Sequence, residues 1–239
     1  MTTPAIEVHD VLFSYERTFT LSVPQLTIHK GECVCVLGLN GSGKTTLLHV
    51  LAQVLPLRKG NSIINGVESS LLSRMEIARR VALVEQETRY IFPYTVLETV
   101  LMGRFAHCSG RFFESPHDME RAAWAMETTN VVSLSDRIIF HLSGGERRRV
   151  EIARALCQET DIVLFDEPTA FLDIRQQQVF RTLLQRLKDE GKTLVIVTHD
   201  TGLVQSLAAR CLLMKEGTIV ADLAAGSEVS EAQVLEIIG

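Results

Sequence analysis

Eight residues, Gly38-Leu39-Asn40-Gly41-Ser42-Gly43-Lys44-Thr45, fit the pattern G-x-x-x-x-G-K-[ST]. Glycines at that spacing let backbone N–H groups wrap a phosphate chain, and a helix starting at the loop's end adds its partial positive charge. Lys44 then reaches the β and γ phosphates, while the Thr45 hydroxyl is placed for Mg²⁺, with Thr46 beside it in the phosphate site. A second run, Ile162-Val163-Leu164-Phe165-Asp166-Glu167-Pro168, delivers two carboxylates after four apolar residues. Neighbouring residues at a strand end point different ways. Asp166 is therefore expected to hold Mg²⁺ or its waters, and Glu167 to polarise an attacking water. A third run, His141-Leu142-Ser143-Gly144-Gly145-Glu146, places two glycines and a glutamate where a helix begins, a second helix N-terminus suited to an anion. His199 follows the apolar run Thr193 to Val197, but a single histidine is more often a hydrogen-bonded structural residue than a catalytic one. Taken singly, Gln86 and Tyr15 are equally ordinary.

The elements that must position these groups are legible as periodicities. Ile6 to Phe13 and Phe19 to Ile28 alternate as strands. Gly31 to Leu55 reads as strand, glycine-rich loop and helix, with Leu47, Leu48, Leu51, Val54 and Leu55 at helical spacing and Pro56 ending the run. Asn65-Gly66 signals a tight hairpin. From about Glu85 to Phe140 the chain turns polar and helical and holds most of its aromatic residues, including its only tryptophan, Trp124. The last third returns to buried strands, residues 161–165 and 193–197, separated by the helical pattern of Val179, Leu183, Leu184 and Leu187.

Composition narrows the function classes. The 239 residues suffice for one full core with a subdomain. A formal net charge of −5 gives no sign of a nucleic-acid binder. Cys33, Cys35, Cys108, Cys157 and Cys211 form no CxxC pair or zinc spacing, so free thiols in a reducing compartment are expected. The N-terminal residues lack the apolar stretch of a secretory signal, and no apolar run approaches the roughly 20 residues of a bilayer span.

Tyr15, the phosphate loop, Gln86, Leu142 to Glu146, Asp166-Glu167, Leu172-Asp173 and His199 occur in an order that resembles the ATP-binding cassette (ABC) ATPases across nearly the entire chain. The resemblance implies an α/β phosphate-loop core with an antiparallel β subdomain and an inserted α-helical subdomain. The core and β subdomain would take about residues 1–86 and 160–239, and the helical subdomain about 87–159. It implies ATP and Mg²⁺ as ligands. Tyr15 is similar to the aromatic that stacks on adenine, and Gln86 to the glutamine that senses Mg²⁺ and links the ATP site to a membrane partner. Glu167 and His199 are similar to the catalytic base and the switch histidine. Ser143, Gly144 and Gly145 would close over ATP held by Gly38, Asn40, Gly41, Ser42, Gly43, Lys44 and Thr45 of a second copy, and Asp173 would communicate between the copies.

The same resemblance implies a peripheral subunit on the cytoplasmic face of the membrane, docked on a separate integral permease and served indirectly by a substrate-binding protein. Phe92 to Arg104 lies where the family receives the permease, and its wording is similar to that of ATPases for iron-siderophore, haem and cobalamin importers. A soluble ABC ATPase of cluster assembly, repair or translation is the alternative. Two departures stand out. Arg148 occupies a place where the family often has glutamine, a change expected to matter little, with a solvated basic face expected for at least two of Arg147, Arg148 and Arg149. Ala170-Phe171 replaces a frequent Ser-Ala and removes a hydroxyl from the contact between copies.

Overall fold

The structure is a computed structural model that describes residues 3–15, 19–108, 115–169 and 172–239. Two long antiparallel strands come first, β1 (Pro4–Tyr15) and β2 (Phe19–His29), in register from Ile6 opposite Ile28 to Tyr15 opposite Phe19. Strand β3 (Cys33–Gly38) leads through the glycine-rich loop into helix α1 (Lys44–Leu51). Strands β4 (Lys59–Ile64) and β5 (Val67–Glu68) form the expected hairpin, with Asn65 and Gly66 both at positive φ, 50° and 77°. Next come α2 (Arg74–Ala78), β6 (Val81–Val84), α3 (Val96–Leu101), α4 (Pro116–Thr128) and α5 (Gly144–Cys157). The chain then returns through β7 (Ile162–Asp166), α6 (Ile174–Asp189), β8 (Thr193–Val197), α7 (Thr201–Ser206), the hairpin β9 (Arg210–Lys215) and β10 (Thr218–Leu223), and α8 (Glu231–Ile238).

Among the described residues the strands join in one sheet in the order β5-β4-β1-β2-β10-β9-β3-β8-β7-β6. The half from β9 to β6 is parallel, whereas β5, β4, β1 and β2 pair antiparallel. Every residue of β3, β7 and β8 is buried, and alternation divides them between two cores. Cys33, Cys35, Leu37, Val163, Phe165, Leu194 and Ile196 face the core that contains α5 and α6. Val34, Val36, Ile162, Leu164, Val195 and Val197 face the other, with α1 and the antiparallel strands. The five cysteines are free, and burial pushes the thiols of Cys157 and Cys211 up to about 12, so they act as small apolar side chains. No described helix is long and apolar enough to cross a membrane.

Helix α1 is shorter than its apolar spacing predicted. It ends at Leu51, with Ala52 as cap, and Val54 is 46% exposed. Gln53 enters the left-handed region at φ 57°, so the chain leaves the helix before Pro56 is reached. Within the expected helical middle, about Glu85 to Phe140, α3 and α4 form, and α5 follows it. Within Phe92 to Arg104 only Val96 to Leu101 is α-helical, and it buries Val96 and Val100. Position 170–171, where the departure from the Ser-Ala pattern falls, lies outside the described residues.

The middle helices are tied together by a buried ion pair. Arg104, in the 3₁₀ turn that follows α3, donates from Nε to Asp118 Oδ1 at 2.8 Å and from Nη1 to the Cys157 carbonyl and to Glu159 Oε2, both at 2.9 Å. Asp118 also closes the capping box of α4 with Ser115. One guanidinium thus joins the end of α3, the start of α4 and the end of α5. Burial pushes the Asp118 carboxyl up, but the Ser115 hydroxyl, Arg104 and the Ser115 amide outweigh it and hold the group well below its ordinary range.

Replacing Asp118 with Asn leaves the Arg104 charge buried with its main partner gone. We expect a loss of about 3–5 kcal/mol in denaturant unfolding. Because the folded carboxyl is depressed, its contribution is present at neutral pH and is lost as pH falls towards the folded value. The wild-type stability should therefore decline on acidification, and that decline should be smaller in Asp118→Asn.

Candidate functional site

Four loops meet at the carboxyl ends of parallel strands: the glycine-rich loop after β3, Gln86 after β6, Glu167 after β7 and His199 after β8. Open α/β sheets bind ligands at that edge. A cleft of about 830 Å³ opens there, lined by Tyr15, Asn40, Gly41, Gly43, Lys44, Thr45, Thr46, Gln86, Glu167 and His199. Ten of the residues expected from sequence are thus brought to one site. Gly38 and Ser42 lie beneath it, both buried.

The loop is shaped by positive φ at Gly41 (79°) and Gly43 (101°). A Cβ on Gly43 would come within 2.6 Å of the Phe19 ring, and one on Gly38 would press against the Met214 carbonyl. Gly43 is thus required by close approach as well as by conformation, and Gly38 by close approach alone. Lys44 is buried and turns back on the loop, its Nζ donating to the carbonyls of Gly38 (2.9 Å) and Leu39 (3.0 Å). Burial lowers its pKa, and Glu167 and Asp166 oppose that shift.

The two acids do point different ways. Asp166 is 1% exposed, and burial raises its pKa although it accepts a hydrogen bond from the Thr45 side chain. Its Oδ1 is buried with no partner. Glu167 instead turns into the cleft from a left-handed backbone, φ 44°, with its amide donating to the Val197 carbonyl at 3.0 Å. Non-glycine residues held there are strained, and such strain concentrates at functional sites. His199 Nε2 lies 2.6 Å from Glu167 Oε1, and Gln86 Nε2 donates to Glu167 Oε2 at 3.4 Å. Two side chains that are unremarkable one by one, His199 and Gln86, therefore converge on the Glu167 carboxylate.

Ser143, Gly144, Gly145 and Asp173 do not line this cleft. Ser143 caps α5: its hydroxyl accepts from the Glu146 amide, and the Glu146 carboxylate returns the bond to the Ser143 amide at 2.8 Å. Those bonds hold the Glu146 carboxyl below its ordinary range. Asp173 caps α6 in the same way through Gln176. Gly145 packs directly under the Gln176 side chain, so the two helix starts abut. Ser143, Gly144 and Asp173 remain exposed.

Several participants carried no usable sequence signal. Phe19 lines the cleft with its ring 6.5 Å from that of Tyr15, which is 44% exposed and stands edge-on to Phe13. Gln176 was invisible because its partner Gly145 is 31 residues away in sequence. Arg148, expected to matter little, is 4% exposed and holds four acceptors, whereas Arg147 and Arg149 are half-buried. The departure from glutamine is therefore a buried charge and not part of a solvated face.

Fold and site together define a phosphate-loop nucleotide hydrolase of the α/β class. The family model for ABC transporters matches residues 21–170. A petrobactin import ATP-binding protein, FpuC of Bacillus anthracis, is 34% identical over 218 residues, covering 91% of this chain and 80% of its own. A hemin import ATP-binding protein, HmuV of Hahella chejuensis, is 35% identical over 230 residues, covering 93% and 88%. A bacterial ABC transporter cassette solved as a dimer superposes with a TM-score of 0.82 at 28% identity, covering 92% of this chain and 98% of that one. This chain belongs to the ABC transporter family, and it is an ATP-binding subunit with ATPase activity.

Gly43→Ala should weaken ATP binding about tenfold or more, because the added methyl both opposes a left-handed backbone and meets Phe19. Titration with a fluorescent ATP analogue measures this, and a Phe19→Ala change in the same chain should recover only the steric part.

Proposed function

We propose that this chain powers uptake of an iron chelate, a siderophore, haem or cobalamin complex, through a separate membrane permease. Two copies close head to tail around two Mg-ATP, with Ser143 to Gly145 of each capping the nucleotide of the other. What carries this reading is one arrangement: eleven residues of the chain line the phosphate cleft, while the second anion-suited helix start stands exposed and outside it. The petrobactin and hemin import relatives support the cargo class, and the dimeric cassette supports pairing.

In this reading Tyr15 stacks on the adenine. The loop amides and Lys44 take the phosphates, Lys44 exchanging its two carbonyl partners for phosphate oxygens. The residues present fit Mg²⁺, because the buried unpartnered Oδ1 of Asp166 and the adjacent Thr45 hydroxyl form an oxygen set suited to a small hard cation, with Gln86 as the third side chain. Bound there, Mg²⁺ neutralises phosphate charge. Glu167 is the base that accepts a proton from the attacking water. Its carboxylate is held between His199 and Gln86, which orient the base. His199 has a second role as a γ-phosphate contact, and Asp173 lies at the junction between copies. Residues of about 87–159 act as the helical subdomain, and Gln86 stands at its hinge with the core. The chain works from the cytoplasmic face as a peripheral subunit, and a substrate-binding protein presents the chelate to the permease.

Glu167→Gln should lower ATP turnover by about 10²-fold or more while ATP binding is kept. With ATP it should run as a dimer in gel filtration; wild-type turnover in this variant would overturn the assignment of the base. The transport reading is tested by gentle solubilisation of membranes from cells that express the tagged chain. A co-purifying multi-span permease is expected, and recovery only from the soluble fraction would sink the importer while leaving the ATPase intact.

A further inference from the structure

Arg148 sits on α5 five residues beyond its cap, Ser143, and its guanidinium is spread across three chain segments. Nε donates to the Pro168 carbonyl at 3.3 Å and Nη2 to the Asp166 carbonyl at 2.7 Å, so the two carbonyls flanking Glu167 are both gripped. Nη1 donates to the carbonyl of Glu85, the residue before Gln86, and to Glu151 Oε2 at 3.2 Å. Glu151, one turn further along the same helix and itself 4% exposed, supplies the counter-charge that fixes the fork in place. Burial pushes the Glu151 carboxyl up and Arg148 opposes it. A carboxamide has two N–H donors on a shorter stem, whereas a guanidinium has five in a rigid plane. Glutamine, frequent here in the family, cannot reach all four acceptors from this position.

We propose that Arg148 is a positioning residue that sets the geometry of Glu167 and Gln86 according to where the start of α5 lies. The inference rests on the head-to-tail reading, in which Ser143 to Gly145 engage the partner copy's nucleotide. A helix transmits a displacement of its first turn to its second without loss. Movement of the Ser143 end towards a partner's γ phosphate therefore carries the guanidinium with it. The carbonyls of Glu85, Asp166 and Pro168 follow, because each would otherwise lose a buried donor. Occupancy of the partner's site is thereby read at this chain's own base. The left-handed backbone at Glu167 is held on both sides by the same side chain, so small shifts of the fork alter the base's aim.

Two variants test this. Arg148→Gln removes the fork but leaves Glu151 unpaired, so a second variant pairs Arg148→Gln with Glu151→Gln and leaves no buried charge. For each, kcat, KM and the Hill coefficient for ATP are measured, together with the thermal midpoint, and ATP-driven dimerisation is followed after adding Glu167→Gln. We expect the double variant to keep KM within about threefold and to dimerise with ATP. Its kcat should fall about tenfold or more, and its Hill coefficient should move towards one. An Arg148→Lys change, which keeps the charge without the fork, should not restore kcat. A kcat within about twofold of the parent, a rise in KM matching the fall in kcat, or a thermal midpoint too low to assay either variant would each overturn the proposal. Absence of ATP-driven dimers in Glu167→Gln alone would instead remove the head-to-tail reading itself, whatever Arg148 does.

Discussion

Burial of the central strands on both faces is the constraint on which everything else depends. No residue of β3, β7 or β8 reaches solvent through a face of the sheet, because alternate side chains enter one core or the other. Polar chemistry can only be placed where these strands run out. Parallel pairing then brings all the carboxyl ends to one edge, with β8 between β3 and β7 in the ladder and β6 next to β7. Lys44, His199, Glu167 and Gln86 come together because each follows the last buried residue of its strand, not because any of them attracts the others.

The edge so formed is tense as well as polar. Glu167 keeps a left-handed backbone, Asp166 keeps a buried oxygen without a partner, and Lys44 is buried against carbonyls. Each carries a cost that the two cores underwrite, and each is what a site for a charged ligand needs. Around it the helix starts use one device repeatedly. Capping boxes at Ser73, Thr95, Ser115, Ser143, Asp173 and Ser230 satisfy the first amides of six helices. Ser143 and Asp173 stand at neighbouring helix starts: both are exposed, and α5 and α6 meet through Gly145 and Gln176. The glycine-rich start of α5 thus lies against α6 and remains open to a partner.

Features set by local rules could be read directly. The phosphate loop, the Asn65-Gly66 hairpin, the buried strands and the divergence of Asp166 from Glu167 follow from spacing and backbone stereochemistry within a few residues. Val54 and Leu55 continue a helical spacing past the end of α1, but the left-handed turn at Gln53 ends the helix, and Val54 is left exposed. The place of Arg148 is hidden for a different reason. In an arginine triplet at a helix start nothing local says which side chain faces the core, and the three carbonyls that Arg148 grips lie 18, 20 and 63 residues away. Phe19 and Gln176 belong to the same class, since each is defined by a neighbour distant in sequence.

The sequence by itself determined that this chain carries a phosphate-binding loop, two adjacent acids at the end of a buried strand, and the ordered set of residues that marks an ABC ATPase. Those are matters of residue type, short spacing and order, which covalent connectivity preserves. Only the tertiary structure decided that Gln86 and His199 share one carboxylate, that Ser143 stands outside its own chain's cleft, and that Arg148 is a buried fork and not a solvated charge. Hydrogen bonds and burial act over ångströms of space and are indifferent to distance along the chain, so they exist only once the strands have been stacked into a sheet.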